Sequence, residues 1–124
     1  MPRRTAAIAA ATTAFALGAI GPAQAANTTL STSWGSMTHI DSGDHFKVCD
    51  TRVDGFAVTG GVQEYWPLQG TWHEASPWIL VDGGDAGCSG EGDFNVEEGA
   101  KYRLKLCLAN HDGEPGCVYK VFYE

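Results

Sequence analysis

The side chains in this sequence that could do chemistry are its carboxylates, histidines, cysteines and tryptophans. Asp41 and Asp44, Asp82 and Asp85, and Glu91 and Asp93 stand in pairs within Gly-rich stretches. Calcium takes roughly six to eight oxygens from flexible acidic loops, and Asp82-Gly83-Gly84-Asp85-Ala86-Gly87 has some of that character. It lacks the full EF-hand spacing and the terminal Glu. The simpler reading is a set of solvated acidic loops that keep sheet edges apart. No metal or cofactor is therefore assigned, calcium being the one ion these loops suit. His39, His45, His73 and His111 are scattered along the chain, and cysteines in an oxidising compartment are expected as disulfides rather than zinc ligands.

Catalytic patterns are sparse. No Gly-x-Ser-x-Gly elbow occurs. A nucleophile needs a base within hydrogen-bond reach, and paired carboxylates for glycoside hydrolysis need a cleft, which a small domain seldom encloses. The expectation is a protein that is not an enzyme. Trp34, Trp66, Trp72 and Trp78, with Tyr65, crowd the middle of the chain. Most such rings fill cores, but Trp72, between Thr71 and His73 in a polar, loop-like stretch, has the best claim to exposure. Exposed Trp and Tyr suit protein interfaces or a platform for sugar rings.

These residues must be positioned by a small exported domain. Met1-Pro2-Arg3-Arg4, an apolar Ala-rich run from Thr5 to Gly21 and the small-x-small site Ala23-Gln24-Ala25 read as a signal peptide spanning 1–25. The domain is then 26–124, with 6 basic against 15 acidic residues and a formal charge of −9. That balance argues against nucleic acid, whose phosphates need clustered Lys and Arg, and against adsorption to anionic membranes. A chain of this size has a marginal core, and Cys49, Cys88, Cys107 and Cys117 give an even count that reads as two disulfides.

No amphipathic helical window of useful length occurs after residue 25. Six or seven short strands are expected, with turn signals every ten residues or so, and hence an all-β antiparallel sandwich. Thr38 to Asp44 reads as a loop, His45 to Thr51 as a strand, and Val53-Asp54-Gly55 as a turn. Phe56 to Trp66 reads as a strand whose Gly pair marks a bulge or bend. Asp82 to Asp93 reads as a long acidic loop, and Phe94 to Val96 as a short strand. Glu97 to Glu124 is the clearest unit. Tyr102, Leu104, Leu106 and Leu108 alternate with Lys101, Arg103, Lys105 and Cys107, and a second strand runs from Cys117 to Tyr123.

Strand parity places Cys107 with Lys105 and Arg103 on the wet face, and Cys49 with His45 and Lys47. Outward cysteines favour Cys107–Cys117 across the hairpin and Cys49–Cys88 between a strand and the acidic loop. Cys49–Cys107 stays open if a bulge flips the parity.

Gly99-Ala100-Lys101-Tyr102 puts a turn just before a Tyr that opens a strand, which resembles the tyrosine corner of immunoglobulin-like and fibronectin-III-like sandwiches. The resemblance implies an Ig-like sandwich in which the Tyr hydroxyl bonds nearby backbone. The runs FKVCDTRVDGFAVTG and YRLKLCLANHDGEPGC, with Cys-Asp-x-x-x-Asp-Gly at Cys49 to Gly55, resemble small secreted disulfide-bonded β-rich proteins of filamentous actinobacteria. That resemblance implies export and two disulfides, and no assigned activity.

The expectation is a secreted, extracellular, non-catalytic binding module. Its partner is another secreted protein, met as an adaptor of an extracellular complex or as an inhibitor of a hydrolase. The expected contact loops are Cys49 to Gly55, the acidic loop near Cys88 and Asn110 to Gly116, with Asp54, Asp85 and Asp112 as their acidic members. Polysaccharide binding through Trp72 is the alternative, and a small secreted hydrolase ranks last.

Overall fold

Alternation of apolar and polar residues makes the strands, and the apolar members meet in one core. The computed structural model describes residues 26–53, 55–84, 86–109 and 116–124. Nine strands run through them: β1 (Thr28–Ser31), β2 (Gly35–Ile40), β3 (His45–Asp50), β4 (Ala57–Trp66), β5 (Thr71–Glu74), β6 (Leu80–Asp82), β7 (Gly87–Asp93), β8 (Tyr102–Ala109) and β9 (Gly116–Phe122). All pairings are antiparallel. The first sheet has the order β1-β2-β3-β7; the second has β5-β4-β8-β9, with β6 also on β4.

The sheets pack as a sandwich. Met37, Phe46 and Val48 of the first meet Val58, Val62, Leu104, Leu106 and Phe122 of the second in one buried cluster. The closest approach is at Gly60. A Cβ there would lie 2.5 Å from Val48 Cγ2 and 2.9 Å from Met37 Sδ, so no side chain fits. Of the bulge or bend expected at the Gly pair, a bulge against β8 does not form, because β4 pairs with β8 in unbroken register from Ala57 to Glu64, and Gly60 serves packing instead. What changes at Gly61 is the partner on the other side: β6 serves residues 58–60 and β5 serves 63–66. Between them, the amides of Ala75 and Ser76 donate to the Val62 carbonyl and Val62 N–H donates to Ser76 Oγ.

Both disulfides are those favoured by parity, Cys49–Cys88 and Cys107–Cys117. Each joins neighbouring strands within one sheet, so neither is the inter-sheet bridge of antibody domains. Two disulfides in a small β domain fit an oxidising compartment. No helix among the described residues is long and apolar enough to cross a membrane.

Several boundaries differ from expectation. The acidic stretch Asp82 to Asp93 is not one loop. Leu80–Asp82 and Gly87–Asp93 are strands, and β7 pairs with β3 despite its poor strand composition. Its glycines explain this: a Cβ on Gly92 would lie 2.9 Å from both Leu80 Cδ2 and Trp78 Cε2, which fill that space. Cys88 and Ser89 together oppose Cys49, since Val48 faces Gly90 and Asp50 faces Gly87, and this bulge carries the disulfide. Thr38 to Ile40 belong to β2, leaving only Asp41 to Asp44 as turn, and Phe94 to Val96 is not a strand. β3 and β4, consecutive in the chain, belong to different sheets.

Candidate functional site

The same parity that buries Tyr102, Leu104 and Leu106 sends Arg103, Lys105 and Cys107 to the outer face of the second sheet. Register places their neighbours. Gln63 and Val121 flank Arg103, Gly61 and Tyr119 flank Lys105, and Tyr65 sits opposite Trp72. Trp72 is therefore on a strand, β5, and not in the loop-like stretch expected for it, and it is half-buried under its neighbours, whereas Trp66 is the exposed tryptophan among the described residues. Its side chain joins the outer face as the end of an aromatic and cationic ladder.

The ladder has measurable geometry. The Arg103 guanidinium carbon lies 4.4 Å from the Trp72 ring centroid and 4.0 Å from that of Tyr119, so the cation is held between two rings. Lys101 Nζ stands 4.9 Å over Tyr65 and 5.7 Å over Trp72. Arg103 Nε donates to Gln63 Oε1 at 2.7 Å, and Gln63 Nε2 donates to Glu74 Oε1 at 2.6 Å. Lys105 Nζ completes the row at 3.5 Å from the same Glu74 oxygen. Beside it, Tyr119, Val121 and Tyr123 are 45%, 43% and 59% exposed, a row of large apolar side chains turned to water on an edge strand. A dent of about 110 Å³ opens where Gly61 has no side chain, lined also by Thr59, Glu74, Ile79, Lys105 and Cys107.

Compared with protein-family models, curated proteins and solved structures, the chain matches none. Site chemistry is therefore the whole basis for a functional reading.

Of the binding residues expected from sequence, only Trp72 falls within the described residues; Asp54, Asp85 and Asp112 lie outside them. Two of the expected loops do meet, since Gly84 packs so closely on Gly55 that a Cβ would lie 2.8 Å from its carbonyl carbon. Asp82 anchors that junction. It is 3% exposed, accepts the Asp50 N–H at 2.7 Å and accepts the Ser89 hydroxyl. Burial pushes its pKa up, but the Ser89 hydroxyl and the amides of Asp50, Ser89 and Gly83 outweigh burial and hold it below the usual carboxylate value.

Three other groupings were not legible from spacing. His39 is buried against Phe46 and Phe122 and lies 2.9 Å from Asp44 Oδ1; Asp41 joins them, with all three offering ligand atoms within 4.8 Å. Asp44 Oδ2 accepts the Val96 N–H at 2.9 Å, which gives this cluster a structural task as a tie between the 41–44 turn and the 94–96 segment. Thr71 Oγ1 is 2.7 Å from His73 Nε2, close enough for a nucleophile and base. That pair lies exposed on the β4–β5 hairpin, with His73 stacked on Trp66. A cleft of about 520 Å³ between β5 and residues 94–97 carries Glu64, Glu74 and Glu97. Its Tyr102 hydroxyl accepts the Glu97 N–H at 3.0 Å, the corner contact the resemblance implied. Burial, with Glu64, Glu97 and Glu124 nearby, pushes the Tyr102 phenol above its usual pKa.

Proposed function

We propose that this protein is an exported, non-catalytic binding module that engages another secreted protein through the outer face of the β5-β4-β8-β9 sheet. The observation that carries this reading is the Trp72–Arg103–Tyr119 ladder beside the exposed row Tyr119, Val121 and Tyr123. Trp, Tyr and Arg are the residues enriched in interface hot spots, and large apolar side chains left to water on an edge strand mark an interaction surface. The face is broad and shallow, which suits a macromolecule better than a small substrate.

Sugar stacking on Trp72 gains less support. The Arg103 guanidinium lies over that ring, and a sugar would have to displace it. The sandwich remains the scaffold in either case, and the two disulfides fit service outside the cell.

Tagged protein recovered from the producing culture medium without reductant tests the reading. A secreted protein recovered at near-stoichiometric amounts with wild type, and lost with Trp72→Ala or Tyr119→Ala, is the expected result. Recovery of this protein alone, under the same conditions, would remove the basis for the reading.

A further inference from the structure

Arg103 is held by rings and an amide but by no carboxylate. Residues 26–124 carry 15 acidic side chains against 6 basic ones, yet among the described residues no carboxylate stands within ion-pair distance of Arg103 or Lys101. Three of those six cations, Lys101, Arg103 and Lys105, lie on this one face. Only Lys105 has an acidic partner there, Glu74.

The guanidinium is also unusually well held. Trp72 and Tyr119 both lie against it, and Gln63 accepts from its Nε while itself donating to Glu74. Gln63 is buried, so this support is part of the sheet and not a loose surface contact. Such ordering removes most of the entropy that an exposed arginine loses on pairing. With Nε engaged by Gln63, the two terminal amino groups supply the parallel pair of donors that a carboxylate takes in a fork.

We propose that Arg103, flanked by Trp72 and Tyr119 and backed by Lys101, is a preorganised receptor for carboxylates on an extended acidic segment of the partner protein. The inference rests on the protein-binding reading above and adds the chemistry of the occupant. Charge complementarity selects an acidic occupant: Lys101 and Arg103 present positive charge without an acidic partner among the described residues, and carboxylates answer it. Val121, Tyr123 and Ile79 beside the cations select a peptide over an acidic sugar, because they offer apolar contact that only side chains return. An extended segment places every second side chain on one side, so alternating acidic and apolar residues suit this face.

The test is a titration of the folded, oxidised protein followed by ¹H–¹⁵N NMR at the Arg103 Nε–H and the Trp72 indole N–H. The probes are a capped peptide of alternating Glu and Val, its Gln–Val counterpart, and polygalacturonate. Saturable shifts with the Glu–Val peptide are expected. They should be lost with the Gln–Val peptide and weakened about tenfold or more in both R103A and R103K, because lysine keeps the charge but loses the stacked fork. Unchanged core resonances of the variants establish that they fold. No saturable shift with the Glu–Val peptide, equal shifts with the Gln–Val peptide, or response to polygalacturonate alone would each overturn the proposal. A partner recovered equally by wild type and R103A would overturn it too, while leaving the protein-binding reading in place.

Discussion

The outer faces of the two sheets are built by the same strand parity and carry opposite kinds of chemistry. On the first sheet, each carboxylate has a side-chain partner: His45 Nδ1 lies 2.6 Å from Asp93 Oδ1, and Lys47 Nζ lies 3.4 Å from Glu91 Oε1. Thr38 and Thr29 share a hydrogen bond beside them. That face is finished, with its charges answered and few large apolar groups. On the second sheet, cations rest on rings, and three large apolar side chains of β9 and its C-terminal neighbour face water. The difference teaches where binding is to be sought. Among the described residues, the second face is the one that combines cations lacking an acidic partner with large apolar side chains in water.

Each face also carries one disulfide, and removing them should give the largest changes in stability. Cys49–Cys88 closes 39 residues and Cys107–Cys117 closes 10. In the chain-entropy model, C49S/C88S costs about 4 kcal/mol and C107S/C117S about 3 kcal/mol, read by urea unfolding. A larger loss from the hairpin disulfide would mean that the second sheet depends on it for more than loop closure. Next is Gly60→Ala, which forces a methyl between Val48 and Met37 where the faces are closest. A cost of about 1–3 kcal/mol is expected, and a neutral result would show that the sheets can separate locally.

Tyr102→Phe removes the hydroxyl that accepts the Glu97 N–H and should cost about 1 kcal/mol. The pH dependence has a definite sign. Asp82 has a folded pKa held below the ordinary carboxylate value, so its contribution is fully present above that value and fades as pH falls through the lower folded pKa. In acid unfolding experiments below about pH 4, Asp82→Asn should flatten this part of the stability profile. The smallest effect is expected on the finished face. Lys47→Gln should change stability by less than about 0.5 kcal/mol, since its ion pair with Glu91 is exposed, and it should leave partner recovery unchanged.

Much of this architecture was legible in the residues. The alternation from Tyr102 to Leu108 identified β8 and its buried side, and the outward parity of Cys49 and Cys107 favoured the disulfides that form. Three things were not legible, for physical reasons. Gly87–Asp93 reads as a loop because strand composition counts side chains, and this strand uses their absence to admit Trp78 and Leu80. The Gly60–Gly61 pair reads as a bulge or bend because the constraint on Gly60 comes from Val48 and Met37, which reach it from the opposite sheet. The ladder went unseen for a similar reason. Parity alone put Arg103 and Lys105 on the wet face, but stacking with Trp72 and Tyr119 depends on the register of β4, β5, β8 and β9 together. His39 likewise meets Asp41 and Asp44 only after the turn closes, with Asp44 at φ 48°.

The central claim is that one sheet face binds a secreted partner and the other does not. The most direct test is side-by-side recovery from culture medium of tagged wild type, R103A and K47Q, each verified as folded and oxidised. A single partner retained by wild type and K47Q and lost by R103A is the predicted result. A partner lost by K47Q and retained by R103A would contradict the account.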